Sequence, residues 1–269
     1  MQLRIEPSGQ SCGALVYGVD LATPLPEALL IELRQAWLTH QVIGIPDQQL
    51  TPAGLVAFAS QLGPHSDDPF LAGLAEQPRV VEVKREPDEK AQIFADSWHS
   101  DWSFLASPPS ATLLYGIDIP PTGGDTLFTN LAAAYDALPA EKKHQLNDLK
   151  AIHSARRGYA PSGRYGDSDE GRSMKILAND SAMATQSHPL VRRHPETGKP
   201  VLYISPAYTI GIESMAPAQG EALLAELFEH LENEAFLYRH RWASGLLTIW
   251  DNRSLNHRAT GGYEGHRRL

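Results

Sequence analysis

Residues 98–104 read WHSDWSF, and residues 250–259 read WDNRSLNHRA. In an extended segment successive side chains point to opposite faces, so His99 and Asp101 share one face. A second imidazole brought to that pair would complete two neutral nitrogens and one carboxylate. That facial triad leaves positions open on non-haem Fe(II) for a chelating co-substrate and O2. The His-x-Asp pair by itself decides little. Eleven histidines at an acid frequency of 32 in 269 give about 1.3 such pairs by chance, and a surface hydrogen-bonded pair is the plain alternative.

Outward from these stretches, short β-type runs alternate with a few amphipathic helices. Leu29, Leu30, Leu33, Ala36 and Trp37 fall on one helical face. Thr51-Pro52 reads as a helix cap and first-turn proline, followed by Leu55, Phe58, Ala59 and Leu62 at helical spacing. Leu223, Leu224, Leu227, Phe228 and Leu231 mark a third helix. Strands are expected at Arg79–Val83, Thr112–Tyr115, Thr126–Phe128, Val201–Ile204 and Leu246–Trp250. Pro195 to Lys199, PETGK, reads as a hairpin turn. Residues 155–187 carry no period, and a loop that long in a compact domain reads as a lid. The pattern is mainly β with flanking helices (α+β) and has no internal repeats, and 269 residues allow one large domain or two small ones.

The 269 residues carry 23 basic and 32 acidic side chains, a net charge of −9. That excess argues against nucleic acid, whose phosphates need a basic face. One cysteine, Cys12, cannot close an intrachain disulfide, which fits a reducing compartment. The opening MQLRIEPSGQ shows no secretory signal, and no apolar run reaches the ~20 residues of a membrane span. The expectation is a cytoplasmic protein with no membrane partner.

WHSDWSF, then PPS, GGDTLF, HPLVRRHPETGKPVLY and WDNRSLNHRA, in that order, closely resemble the taurine and 2,4-dichlorophenoxyacetate (TauD/TfdA) dioxygenase family. The likeness runs from about residue 14 to the last residue. It implies a double-stranded β-helix, or jelly roll, with iron at its open end. It also implies Fe(II), O2 and 2-oxoglutarate, and a small organic acid hydroxylated with release of succinate and CO2. By the same resemblance His99 and Asp101 are the proximal ligands and His257 the distal one. Thr126, in GGDTLF, falls where a hydroxyl contacts a 2-oxoglutarate carboxylate. Arg268, eleven residues beyond His257, falls where an arginine holds the far carboxylate, which its fork can bind bidentately. Arg267 is the off-by-one rival. Trp250 and Asp251 read as supporting groups. The family continues beyond the equivalent of Leu269 through a second arginine for anionic substrates, so either a further segment or a different anchor is expected. A homodimer or homotetramer is implied.

Taurine enzymes of this family surround the substrate with a histidine, a tyrosine and an asparagine. The resemblance places Asp68, Leu71 and Ala95 there, while Tyr159 and Tyr208 keep aromatic positions and Trp102 is bulkier than a taurine pocket implies. The expected substrate is therefore aryloxyalkanoate-like or a sulfonate with an apolar body. Taurine itself is the alternative. A zinc metallohydrolase on the same triad would leave Thr126 and Arg268 without a role, and a binding protein would not need the triad. His153, His188 and His194 read as structural; Arg156 and Arg157 read as solvated or as neutralising an acid.

Overall fold

The helices form where apolar spacing puts them. In the computed structural model, which describes residues 3–269, α1 (Glu27–His40) buries Leu33, Ala36 and Trp37. α2 (Pro52–Leu62) starts where the Thr51 hydroxyl accepts the Gly54 amide and Pro52 fills the first turn, where no N–H is needed. α6 (Pro217–Leu231) turns Leu223, Leu224, Leu227 and Leu231 inward. Between them lie the short α3 (Leu131–Asp136), α4 (Ala140–Leu146) and α5 (Arg156–Tyr159).

One sheet runs in the order β1 (Arg4–Pro7), β2 (Ala14–Tyr17), β3 (Val42–Ile45), β12 (Leu247–Asp251), β4 (Ala111–Tyr115). A second runs β11 (Leu237–His240), β5 (Thr126–Asn130), β13 (Leu255–Ala259). A third runs β10 (Thr209–Ile212), β6 (Lys150–His153), β7 (Gln186–Pro189). β8 (Val191–Arg193) and β9 (Pro200–Leu202) form a hairpin, closed by Arg193 opposite Pro200 and turned by Gly198 at φ 70°. The fold is mixed α/β.

β12 shows why the sheets stack. All five of its residues are buried, and they divide by parity. Leu247 and Ile249 pack with Trp37 and Phe58 of the helices, whereas Trp250 packs with Phe128, Tyr238 and Leu255 of the second sheet. The register of β5 against β13 sets Phe128 opposite His257 and Thr126 opposite Ala259. The inward rows of both strands therefore end at the same mouth.

Two strand expectations need correction. Arg79–Val83 is irregular: Val81 makes one bridge to Gly73, and Val80, Val81 and Val83 line a cavity instead of pairing in a sheet. The strand expected at Val201–Ile204 ends at Leu202, after which the Tyr203 amide turns back to the Leu190 carbonyl. Among the described residues no helix is long and apolar enough to cross a membrane.

Candidate active site

His257 projects from the inward face of β13, and His99 is paired to it by backbone. The His99 N–H donates to the His257 carbonyl at 3.0 Å, and the reverse bond is 2.7 Å. The two imidazole centroids are 4.1 Å apart. Asp101 lies two residues on, its Oδ1 3.4 Å from His99 Nε2 and 3.7 Å from His257 Nε2. One candidate ligand atom from each residue lies within 4.8 Å of the others. The 3.4 and 3.7 Å separations suit donors at ~2.0–2.2 Å around one centre.

The surrounding hydrogen bonds leave the ligand lone pairs of His99 and Asp101 free, while His257 Nδ1 is buried without a partner among the described residues. His99 Nδ1 donates to the Ser97 carbonyl at 2.8 Å, so its proton sits on Nδ1 and its Nε2 lone pair faces Asp101. Asp101 Oδ2 accepts the Thr112 hydroxyl at 2.6 Å and the Trp250 indole N–H at 3.2 Å, leaving Oδ1 for the cluster. Thr112 in turn accepts the Asn252 amide at 2.9 Å. Burial raises the Asp101 carboxyl, but the His257 and His99 imidazoles and the Thr112 hydroxyl outweigh it and hold the group well below the usual range. Burial, with the neighbouring His99, pulls His257 down to about 3. A neutral imidazole beside a carboxylate anion is a metal-binding donor set.

These residues open into a cavity of about 1060 Å³, which Thr126 and Arg268 also line. The Thr126 hydroxyl accepts the Trp242 indole N–H at 3.0 Å, leaving its own proton free to donate. The Arg268 backbone pairs with Arg85 in both directions at 3.0 Å, and its guanidinium donates to the Gly124 carbonyl at 3.1 Å. Its Nε is buried without a partner, and it forms no ion pair among the described residues. Burial pulls its pKa down, partly offset by Tyr263 and Asp125. Arg267 points elsewhere, 3.5 Å from Glu86 and 3.7 Å from Asp118.

Asp68, Leu71, Ala95, Trp102, Tyr159 and Tyr208 all line this same cavity. Tyr159 stacks on Phe70 at 4.8 Å, and Tyr208 meets His99 edge-on at 6.0 Å and Phe104 at 4.9 Å. Burial raises the Asp68 carboxyl, and the nearby Asp101 adds to that. Ala95 and Trp102 adopt φ of 60° and 51°. Phe70, Phe94 and Phe104 add aromatic wall that the sequence reading does not reach.

Three further histidines, His153, His188 and His194, brace the site from outside. His153 Nδ1 meets Ser103 Oγ at 3.1 Å, and His188 Nε2 donates to the Leu105 carbonyl at 2.9 Å. His194 bonds Asp251 at 2.9 Å, and Asp251 also pairs with Arg253. Arg157 donates to the carbonyls of Pro206 and Thr209, and neither it nor Arg156 lines the cavity. Thr112, Asn252 and Trp242 are the supporting groups that sequence reasoning misses. Their side-chain directions depend on sheet register, which no local motif encodes.

A model of the family described as "Taurine catabolism dioxygenase TauD, TfdA family" matches residues 4–269. The (S)-phenoxypropionate/alpha-ketoglutarate-dioxygenase of Sphingobium herbicidovorans is 31% identical over 258 residues, covering 95% of this chain and 88% of the relative. The alpha-ketoglutarate-dependent 2,4-dichlorophenoxyacetate dioxygenase of Cupriavidus pinatubonensis is 34% identical over 260 residues, covering 90% and 87%. The crystal structure of a taurine dioxygenase from Burkholderia xenovorans superposes with a TM-score of 0.81 at 32% identity, covering 100% of this chain and 87% of that one.

Proposed function

Because this chain belongs to the taurine catabolism dioxygenase TauD, TfdA family, we propose that its cavity oxidises a small organic acid with an apolar body. The protein is a 2-oxoglutarate-dependent dioxygenase, and its site supports finer assignments. One observation carries them: His99, Asp101 and His257 converge in a cavity also lined by Arg268, which has no ion pair among the described residues.

His99 Nε2, Asp101 Oδ1 and His257 Nε2 are assigned to Fe(II). Iron, 2-oxoglutarate and O2, when bound, supply the oxidant that hydroxylates a C–H bond, with succinate and CO2 released. Arg268 takes the far carboxylate of 2-oxoglutarate, an anion that would answer its buried charge. Thr126 donates its free proton to the same co-substrate, oriented by the Trp242 N–H on its oxygen. Thr112 and Trp250 hydrogen-bond the far oxygen of Asp101 and so turn its Oδ1 toward the two imidazoles. Phe70, Phe104, Tyr159 and Tyr208 exclude water and pack the substrate body, at about 25 cal/mol per Å² of apolar area buried.

The preference for an aryloxyalkanoate-like acid over taurine rests on that aromatic wall. We assign residues 155–187, the last two of which already pair in β7, as the lid of a single domain. The Leu177 amide reaches the Phe70 carbonyl, and the Asn179 amide reaches the Tyr159 carbonyl. The stacked second sheet and β12 layer support a jelly-roll reading of the core.

The test is anaerobic loading with Fe(II) and 2-oxoglutarate, exposure to O2, and a screen of aryloxy acids, sulfate esters and sulfonates. Succinate release should rise sharply with an aryloxy acid. If no acid raises it above the substrate-free rate while iron stays bound, the substrate assignment is wrong.

A further inference from the structure

The Asp68 carboxylate is committed to the protein itself. Its Oδ1 accepts the Phe70 and Leu71 amides at 2.7 and 2.8 Å, and its Oδ2 accepts the Trp102 indole N–H at 3.2 Å. Arg79 and Arg268 are the only arginines among the cavity-lining residues described, with no lysine, and neither pairs with Asp68. Three donors on one carboxylate leave little capacity for a ligand.

Trp102 sits at φ 51°, which a bulky residue adopts only when its surroundings impose it. Those surroundings are on hand. The Leu105 amide donates to the Trp102 carbonyl at 2.8 Å, His153 grips Ser103 Oγ, and His188 grips the Leu105 carbonyl. The backbone turn is thus held from behind while Asp68 holds the ring from the cavity side. The ring lines the cavity immediately after Asp101, together with Phe70, Phe104 and Tyr159.

We propose that Asp68 is a positioning residue: it anchors the Trp102 indole as the wall that selects a flat, apolar substrate body, and it does not touch the substrate. This rests on the dioxygenase reading given above. Trp102 is then the specificity-determining residue, and Asp68 acts only through it.

A double-mutant cycle of Asp68→Asn and Trp102→Phe tests this. Asn keeps an acceptor oxygen for the two backbone amides but sets an N–H against the indole N–H. Phe keeps a ring and removes the donor. Each single variant should raise KM for an aryloxyalkanoate about tenfold, with a smaller change in kcat. In the Trp102→Phe background Asp68→Asn should add less than about twofold. The affinity for 2-oxoglutarate in anaerobic titration should stay within about twofold throughout. Additive KM effects would overturn the proposal. So would a collapse of taurine turnover in Asp68→Asn alone, because Asp68 would then be pairing with the substrate ammonium. A readout independent of turnover is 19F NMR of the protein labelled with fluorotryptophan, whose five tryptophans include one signal lost in Trp102→Phe. That signal must move or broaden in Asp68→Asn. An unmoved, sharp signal would overturn the anchoring even if no acid tried were a substrate, a result that would separately sink the dioxygenase substrate assignment.

Discussion

His99 and His257 hydrogen-bond to each other through both backbone N–H groups, at 3.0 and 2.7 Å, although one lies in a loop and the other in β13. An antiparallel pair that exchanges both bonds sets its two side chains on one face. Main-chain pairing therefore aims both imidazoles at Asp101, independently of any ion between them.

From that relationship, removing one ring should cost metal and not fold. His257→Ala keeps the backbone pair, so its metal-free thermal midpoint should stay within a few degrees of wild type. Wild type at a hundredfold excess of Mn(II) over Kd should gain about 2.7 kcal/mol of stability. The variant should lose most of that gain. Thermal scans with and without Mn(II) measure both quantities, and an undiminished Mn(II) shift would remove His257 from the ligand set.

Arg268→Ala removes a half-buried arginine of the cavity that has no ion pair among the described residues and whose Nε is buried without a partner. The loss of a charged hydrogen bond, about 1.5–3 kcal/mol, predicts a 2-oxoglutarate affinity weaker by roughly ten- to a hundredfold. Arg267→Ala, whose side chain pairs with Glu86 and Asp118, should leave that affinity unchanged. Anaerobic titration of the metal-loaded protein decides between them. The reverse pattern would mean the two arginines had been exchanged.

The metal triad was legible because the chemistry requires those residue types and the flanking motifs are long. The Arg268 backbone pairs with Arg85 and its side chain lines the cavity, whereas the Arg267 side chain turns out to Glu86 and Asp118. Arg79–Val83 misled because β-branched residues can line a cavity as readily as they fill a strand. Thr112 read only as a strand residue. Its hydroxyl reaches Asp101 because β4 and β12 pair with Thr112 opposite Trp250, and that register comes from distant packing. Asp68 lines the cavity, and its bonds to Phe70, Leu71 and Trp102 had no sign in the sequence. Side-chain partners across such loops have no sequence signature.

Stability should fall as the solution is acidified. Burial, with the neighbouring His188, lowers His153 to about 3, and burial, with the nearby Arg268, lowers His240 to about 3. Both bind protons more readily unfolded, near pH 6.5, than folded. Their contribution is therefore complete above about pH 6.5 and is lost as pH falls toward 3, at up to about 1.4 kcal/mol per pH unit for each group. Denaturant titrations at pH 7.5, 6.0 and 5.0 should show this decline. His240→Gln should shrink the slope by about one proton, and an unchanged slope would mean that His240 is protonated in the folded state.

Thr112 governs the ligand carboxylate without being a ligand. Its hydroxyl donates to Asp101 Oδ2 at 2.6 Å and accepts the Asn252 amide at 2.9 Å, so a single proton is oriented toward the carboxylate. Thr112→Val keeps shape and β propensity while removing both bonds. Asp101 Oδ2 would keep only the Trp250 N–H at 3.2 Å, and the carboxylate would be free to rotate away from the two imidazoles. Loss of such a supporting bond typically weakens metal binding by about 10- to 100-fold. Thr112→Ser restores the hydroxyl and should recover most of the affinity, which a simple packing defect would not predict. Mn(II) binding followed by electron paramagnetic resonance for the two variants gives the comparison. Equal affinities for Val and Ser would show that the hydroxyl does not hold Asp101 in place.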